Sequence, residues 1–197
     1  EPVFSFPAWW WDYDNDGWLD LMVCGYGASG KFGQPDVDAD VLSDYLGLPT
    51  PAERLHLYHN EGDGTFKNVA PKADIDAVVY AMGANFGDLD NDGWEDFYLG
   101  TGNADFRSLM PNRAWRNAGD GTFRDITTSG GFGHLQKGHG ISFADLDNDG
   151  DQDVYADLGG AFEGDWFPNL VFENPGHGHH WVTLRLLGPG ANPSAIG

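Results

Sequence analysis

Short apolar runs alternate with acidic, glycine-rich stretches along most of the chain. The runs at 21–23, 84–87, 97–99, 141–144 and 154–156 are too short for helices and read as strands, entering or leaving Asp-rich loops. Gly-Asp-Gly at 62–64 and at 119–121, each followed by Thr-Phe, reads as a tight hairpin turn between strands. One stretch has a different period. Val37, Val41, Leu42, Tyr45 and Leu46 share a helical face, and Gly47 and Pro49 would stop that helix. The pattern therefore predicts an all-β chain with one short helix near 37–46. Twenty-nine glycines, eight Trp and thirteen Phe fit such a turn-rich, aromatic β fold.

The pattern also repeats. Asp12-Tyr13-Asp14-Asn15-Asp16-Gly17-Trp18-Leu19-Asp20, Asp88-Leu89-Asp90-Asn91-Asp92-Gly93-Trp94-Glu95-Asp96 and Asp145-Leu146-Asp147-Asn148-Asp149-Gly150-Asp151-Gln152-Asp153 are three copies of one nine-residue loop. A second motif follows each loop, around Asn60, Asn117 and Asn174, which are spaced by 57 residues, as are the second and third loops. From Asp12 to Asn60 is 48 residues, against 29 from Asp88 to Asn117, so the first unit carries 19 extra residues within 25–54. That insertion, containing the helix, is expected to project from the scaffold, where loops are tolerated. A 57-residue unit of a few short strands is the size of a propeller blade, usually a four-stranded antiparallel sheet.

Charge adds the chemistry. Thirty-one acids against ten Lys and Arg give a formal net charge of −21, which argues against nucleic acid or anionic membranes as partners. No apolar run approaches the roughly 20 residues that span a bilayer. The single cysteine, Cys24, reads as a small buried residue, and Glu1 reads as an internal or processed start.

The loop spacing brings carboxylates at positions 1, 3, 5 and 9 toward one point, with the carbonyl of position 7 as a further oxygen. The candidate ligands are Asp12, Asp14, Asp16, Trp18 and Asp20; Asp88, Asp90, Asp92, Trp94 and Asp96; and Asp145, Asp147, Asp149, Asp151 and Asp153. Gly at position 6 permits the curl, and Asn at position 4 tolerates a left-handed backbone. Oxygen-only ligation selects Ca2+ over zinc or copper, and a flexible shell favours it over magnesium. About three calcium ions are expected. With few basic residues in the chain, no internal cation is expected to replace them. The loops are not EF-hands, because position 12 is Val23, Leu99 or Ala156 rather than Glu.

Other residues have plainer readings. Asp63 and Asp120 read as turn residues. His134, Lys137 and His139 read as a structural loop, with an anion or extra-metal site as the alternative. His177, His179 and His180 read as a polar turn rather than a transition-metal site. In the run Trp9-Trp10-Trp11 at least one ring must point away from its neighbours; inter-blade packing is weighed there against stacking on a sugar or a protein partner.

Residues 86–93, Phe-Gly-Asp-Leu-Asp-Asn-Asp-Gly, resemble the FG-GAP, or VCBS, repeat of integrin α-subunit propellers. Residues 135–139, 159–162, 173–176, 180–186 and 194–197 are similar to the cartilage acidic protein family, the last two to the start of its ASPIC/UnbV domain. The resemblance implies a secreted calcium-binding propeller with no established catalytic activity. It divides the chain into blades over 1–178 and an ASPIC/UnbV-like segment over 179–197. Four to eight such blades would need roughly 230–460 residues, so an incomplete propeller is expected, part of a larger one or completed by a partner. The expected function is non-catalytic protein interaction or scaffolding, with an extracellular or periplasmic location where calcium is abundant. A calcium-stabilised glycan-binding module and a part of a polysaccharide-degrading enzyme are the alternatives.

Overall fold

The computed structural model describes residues 2–27, 37–105, 108–182 and 184–188. Three antiparallel sheets follow one another along the chain. The first blade is β1 (Ser5–Trp11), β2 (Asp20–Gly25), β3 (Leu55–Asn60) and β4 (Phe66–Asn68), with helix α1 (Val37–Tyr45) between β2 and β3. The second is β5 (Ala81–Gly87), β6 (Asp96–Thr101), β7 (Arg113–Asn117) and β8 (Phe123–Asp125). The third is β9 (Gly138–Ala144), β10 (Asp153–Leu158) and β11 (Leu170–Phe172). Each sheet is ordered as the chain runs, and no sheet closes into a barrel. The expected all-β, blade-type architecture is present. Among the described residues no helix is long and apolar enough to cross a membrane.

Register explains why the three units behave alike. Each Asp loop closes its hairpin at the same place: Trp11 pairs with Asp20, Gly87 with Asp96 and Ala144 with Asp153. Because strand side chains alternate, each blade has two faces. The rear face of blade 1 (Trp9, Trp11, Met22, Leu57) packs on the front face of blade 2 (Phe97, Leu99, Trp115, Phe123). The rear face of blade 2 (Tyr98, Ala114) packs in turn on Val154 and Ala156 of blade 3. Trp11 is stacked on Phe123 at 5.7 Å and Trp9 on Phe86 at 6.2 Å, so two of the three consecutive Trp are inter-blade packing. Trp10 points to the other face. Cys24 lies buried in the same core, where desolvation pushes its thiol pKa up.

Blades 2 and 3 approach closely at glycines of β5, β6 and β9. Gly83 of β5 lies against the His139 carbonyl of β9, and Gly100 against Gly138. Helix α1 forms where the periodicity places it, but it does not project. Val37 and Val41 pack with Tyr26, Val78, Tyr80 and Met110, whereas Leu42, Tyr45 and Leu46 stay exposed. Acids on the helix find donors in the second unit: the Tyr80 hydroxyl donates to Asp40 at 2.9 Å, the Ser108 hydroxyl to Asp38 at 2.6 Å, and the Val78 N–H to Asp44 at 3.0 Å. Those bonds tie the insertion down. Part of it, residues 28–36, lies outside the described residues, as do 194–197; the described residues from 179 on form no strand.

Candidate metal centres

Each Asp loop builds its own curvature from side-chain-to-backbone bonds. The first Asp accepts the N–H groups of positions 5 and 6: Asp12 from Asp16 and Gly17, both at 3.0 Å; Asp88 from Asp92 and Gly93, at 3.0 and 2.8 Å; Asp145 from Asp149 and Gly150, both at 3.1 Å. The fifth accepts the N–H of position 7, as Asp92 does from Trp94 at 3.0 Å. Such turns need left-handed backbone at positions 4 and 6. Asn15, Asn91 and Asn148 have φ of 55°, 54° and 66°, and Gly17, Gly93 and Gly150 have 90°, 89° and 96°.

The ninth-position carboxylates, Asp20, Asp96 and Asp153, are buried clamps. Asp96 accepts the Leu89 N–H at 2.9 Å and the Asn117 N–H at 2.7 Å, fastening the loop to the outer hairpin of the blade. Asp20 does the same with Tyr13 and Asn60, and Asp153 with Leu146 and Asn174.

The remaining oxygens converge differently in the three loops. In loop 2, oxygens of Asp88, Asp90 and Asp96 lie within 4.8 Å of one another. In loop 1 the sets are Asp12, Asp14 and Asp16, and also Asp14, Asp20 and His59. In loop 3 they are Asp145, Asp147 and Asp149, all exposed. Asp92, Asp153 and Asp151 stand outside these side-chain sets, and the position-7 backbone of Trp18, Trp94 and Asp151 enters only through its N–H, which donates to the Asp at position 5 of each loop. Burial raises the pKa of Asp96 to about 8, against the help of its two N–H donors. Asp90 and Asp14 are raised by burial first and a neighbouring carboxylate second. Asp90 is 6 % exposed, and its Oδ1 is buried with no hydrogen-bond partner. A buried, orphaned carboxylate oxygen facing two further carboxylates fits a hard cation.

Two basic neighbours escaped the reading of the sequence. Arg116, at the end of β7, pairs its Nε with Asp90 and donates from Nη2 to Asp92 at 2.9 Å. The expectation that no internal cation stands beside the loops is thus wrong for loop 2. At the equivalent position His59 places Nδ1 3.2 Å from Asp20 and 3.4 Å from Asp14. Loop 3 has Glu173 at that position. The 57-residue alignment marked this as the variable residue before a constant Asn, which was the available signal.

The loops also touch one another. The Asn15 side chain donates to the Gly93 carbonyl at 2.9 Å, and Asn91 to the Gly150 carbonyl at 3.2 Å. All three therefore lie at one end of the blade array. A family model described as an FG-GAP-like repeat matches residues 36–99 and, directly after, 99–156, more than half of the chain. The chain belongs to the FG-GAP-like repeat family. Each match takes the outer strands of one blade with the inner hairpin and Asp loop of the next, so the FG-GAP sequence unit is offset from the structural blade. Loop 1 lies outside both matches, yet its backbone is that of the other FG-GAP loops. No curated protein matches the chain.

The other singled-out residues are accounted for locally. Asp63 and Asp120 cap their own hairpin turns, each accepting the hydroxyl of the Thr two residues on at 2.6 Å. Lys137 is buried and paired with Asp165 at 2.7 Å, and the His134 Nδ1 accepts the Gln136 N–H at 3.2 Å, so the 134–139 segment is structural. His179 Nδ1 lies 2.6 Å from the Asp90 carbonyl, and the metal-capable groups among the described residues include none of His177, His179 and His180.

Proposed function

We propose that this FG-GAP chain is a non-catalytic module that binds about three calcium ions and presents the Asp-loop end of its blades to a protein partner. The observation that carries the reading is the orphaned Asp90 oxygen beside Asp88 and Asp96, matched in loop 1 by the orphaned Asp14 Oδ1, while loop 3 offers the same grouping of carboxylates at the surface. A bound calcium ion would neutralise these carboxylates. The chain's own residues supply the rest: Asp12, Asp88 and Asp145 shape the loops, Asp20, Asp96 and Asp153 fasten them to the outer hairpins, and Asn15 and Asn91 pass rigidity from loop to loop. A rigid, contiguous end face suits protein recognition, because little ordering entropy is lost on binding. Weak calcium loops work where the ion is abundant, which supports an extracellular or periplasmic setting. Residues 159–162, 173–176 and 180–186 support placing the chain with the cartilage acidic proteins, with 179–197 as the start of an ASPIC/UnbV-like segment.

Equilibrium dialysis against millimolar calcium tests this, with about three ions per chain expected. A chain that retains none would sink the calcium reading. Arg116 adds a sharper expectation. Its guanidinium sits where a divalent ion would be repelled by it; unit charges 4 Å apart in water interact by about 1 kcal/mol, so a doubly charged ion is opposed by about 2 kcal/mol, roughly thirtyfold in affinity. Arg116→Gln should therefore tighten one of the three sites by up to about thirtyfold in a calorimetric titration while lowering the melting temperature in chelator. An unchanged titration would mean that Arg116 does not oppose the ion.

A further inference from the structure

The three Asp loops are alike in their carboxylates and unlike in the residue that meets them from the outer hairpin. That residue stands just before the hairpin Asn and is His59, Arg116 and Glu173 in the three blades. Arg116 has no lone pair to offer a metal, and Glu173 adds only oxygen. His59 offers a ring nitrogen. Of the four metal-capable groups found among the described residues, only Asp14, Asp20 and His59 includes one.

The spacing of that group is that of a metal's coordination shell. His59, on β3, places Nδ1 3.2 Å from an oxygen of Asp20 and 3.4 Å from one of Asp14. Nitrogen and oxygen ligands at about 2.0–2.1 Å from a tetrahedral zinc ion stand roughly 3.4 Å apart. The His59 Nδ1 makes no hydrogen bond at these distances, and the other Asp14 oxygen, Oδ1, makes none either; both atoms are buried. Buried polar atoms are costly when unpaired, so two of them in one cluster point to a ligand, whatever the acidic spacing of the loop. Asp20 is fully buried and held by the N–H groups of Tyr13 and Asn60 at 3.3 and 2.8 Å. Such bonds fix a carboxylate for a metal and leave each of its oxygens a further lone pair.

An ion can reach the group. Tyr13, Asp14, His59 and Trp94 line an open cleft of about 480 Å3 between blades 1 and 2. Both of these blades are four-stranded. Water from the cleft would complete a four-coordinate shell.

We propose that loop 1 is a metal centre of a second kind, in which Asp14, Asp20 and His59 Nδ1 hold a transition-metal dication of the zinc or cobalt type in preference to calcium. Imidazole suits such ions, whereas calcium takes oxygen ligands. This rests on the metal reading of the Asp loops, since Asp14 belongs also to the oxygen set Asp12, Asp14 and Asp16. A transition ion on the His59 side draws Asp14 from that set, so one calcium leaves while loops 2 and 3 keep theirs.

Co2+ is the probe, because a four-coordinate site with a nitrogen donor gives it intense visible absorption. The 197-residue chain is titrated with Co2+ in millimolar calcium, and both metals are counted after gel filtration. One Co2+ per chain with that absorption is expected, and the calcium count should fall from about three to about two. His59→Gln should weaken cobalt binding by at least about a hundredfold, because a lost ligand costs no less than a lost outer partner. Calcium should then stay at about three. His59→Glu, which gives blade 1 the residue that blade 3 carries as Glu173, should behave in the same way. Circular dichroism checks that both variants fold. Wild-type protein without the absorption, cobalt driven off by millimolar calcium, or a folded His59 variant that keeps its cobalt overturns the assignment. The two readings fail separately. One Co2+ bound through His59 with calcium at no loop would strike the calcium reading and support this one; three calcium ions with no cobalt would do the reverse.

Discussion

Removal of calcium by a chelator is expected to lower the melting temperature of the chain by about 8–16 °C. Each site filled at ten times its dissociation constant contributes about 1.4 kcal/mol, so three contribute about 4 kcal/mol, and a domain of this size shifts by roughly 2–4 °C per kcal/mol. Restoring calcium should restore the melting point in a concentration-dependent way. Asp90→Ala and Asp147→Ala should blunt that recovery. Asp63→Ala should not, since Asp63 only caps its own turn. The effect should also depend on pH in a definite direction. Asp96 has its pKa raised by burial to about 8, so the stability it contributes is present below its unfolded value near 4 and is lost as the pH rises through about 8. In chelator the protein should therefore melt lower at pH 8 than at pH 5. Calcium requires the ionised carboxylates, so the gap between the two melting curves should widen over that interval. Identical melting temperatures with chelator and with millimolar calcium would show that the ions do not hold the loops.

Gly83→Ala should be more damaging than any loop substitution. A Cβ built at Gly83 would lie 1.3 Å from the His139 carbonyl oxygen and 2.4 Å from its carbon. Backbone, unlike the tip of a long side chain, cannot swing aside, so β9 would have to lift from β5. That would open the core formed by Tyr98, Ala114, Val154 and Ala156. A loss above about 4 kcal/mol, enough to leave little folded protein, is the expected outcome of such a clash in the core. Gly64→Ala is the control: its φ is +89° but nothing lies within 4 Å, so only backbone strain of about 1 kcal/mol applies. A Gly83→Ala protein with the same denaturation midpoint as the wild type would mean that blades 2 and 3 do not approach this closely.

What the sequence determined by itself is local. The Asp, Asn and Gly spacing decides the loop, because its shaping bonds span at most five residues and its left-handed positions fall where Asn and Gly stand. The hairpin turns, the helix at 37–45 and the 57-residue unit follow from patterns of similarly short range. The tertiary structure decided whatever depends on two distant segments meeting. Arg116 is 24 residues from Asp92 in the chain and reaches it only because β7 lies beside the inner hairpin. The helix is docked rather than projecting because Tyr80 and Ser108 offer donors to its acids. The three consecutive Trp show the boundary most clearly. Strand alternation dictates that Trp10 faces opposite to Trp9 and Trp11, but only the packing of one blade on the next decides which of those faces is buried, because burial belongs to the pair of sheets and not to either strand.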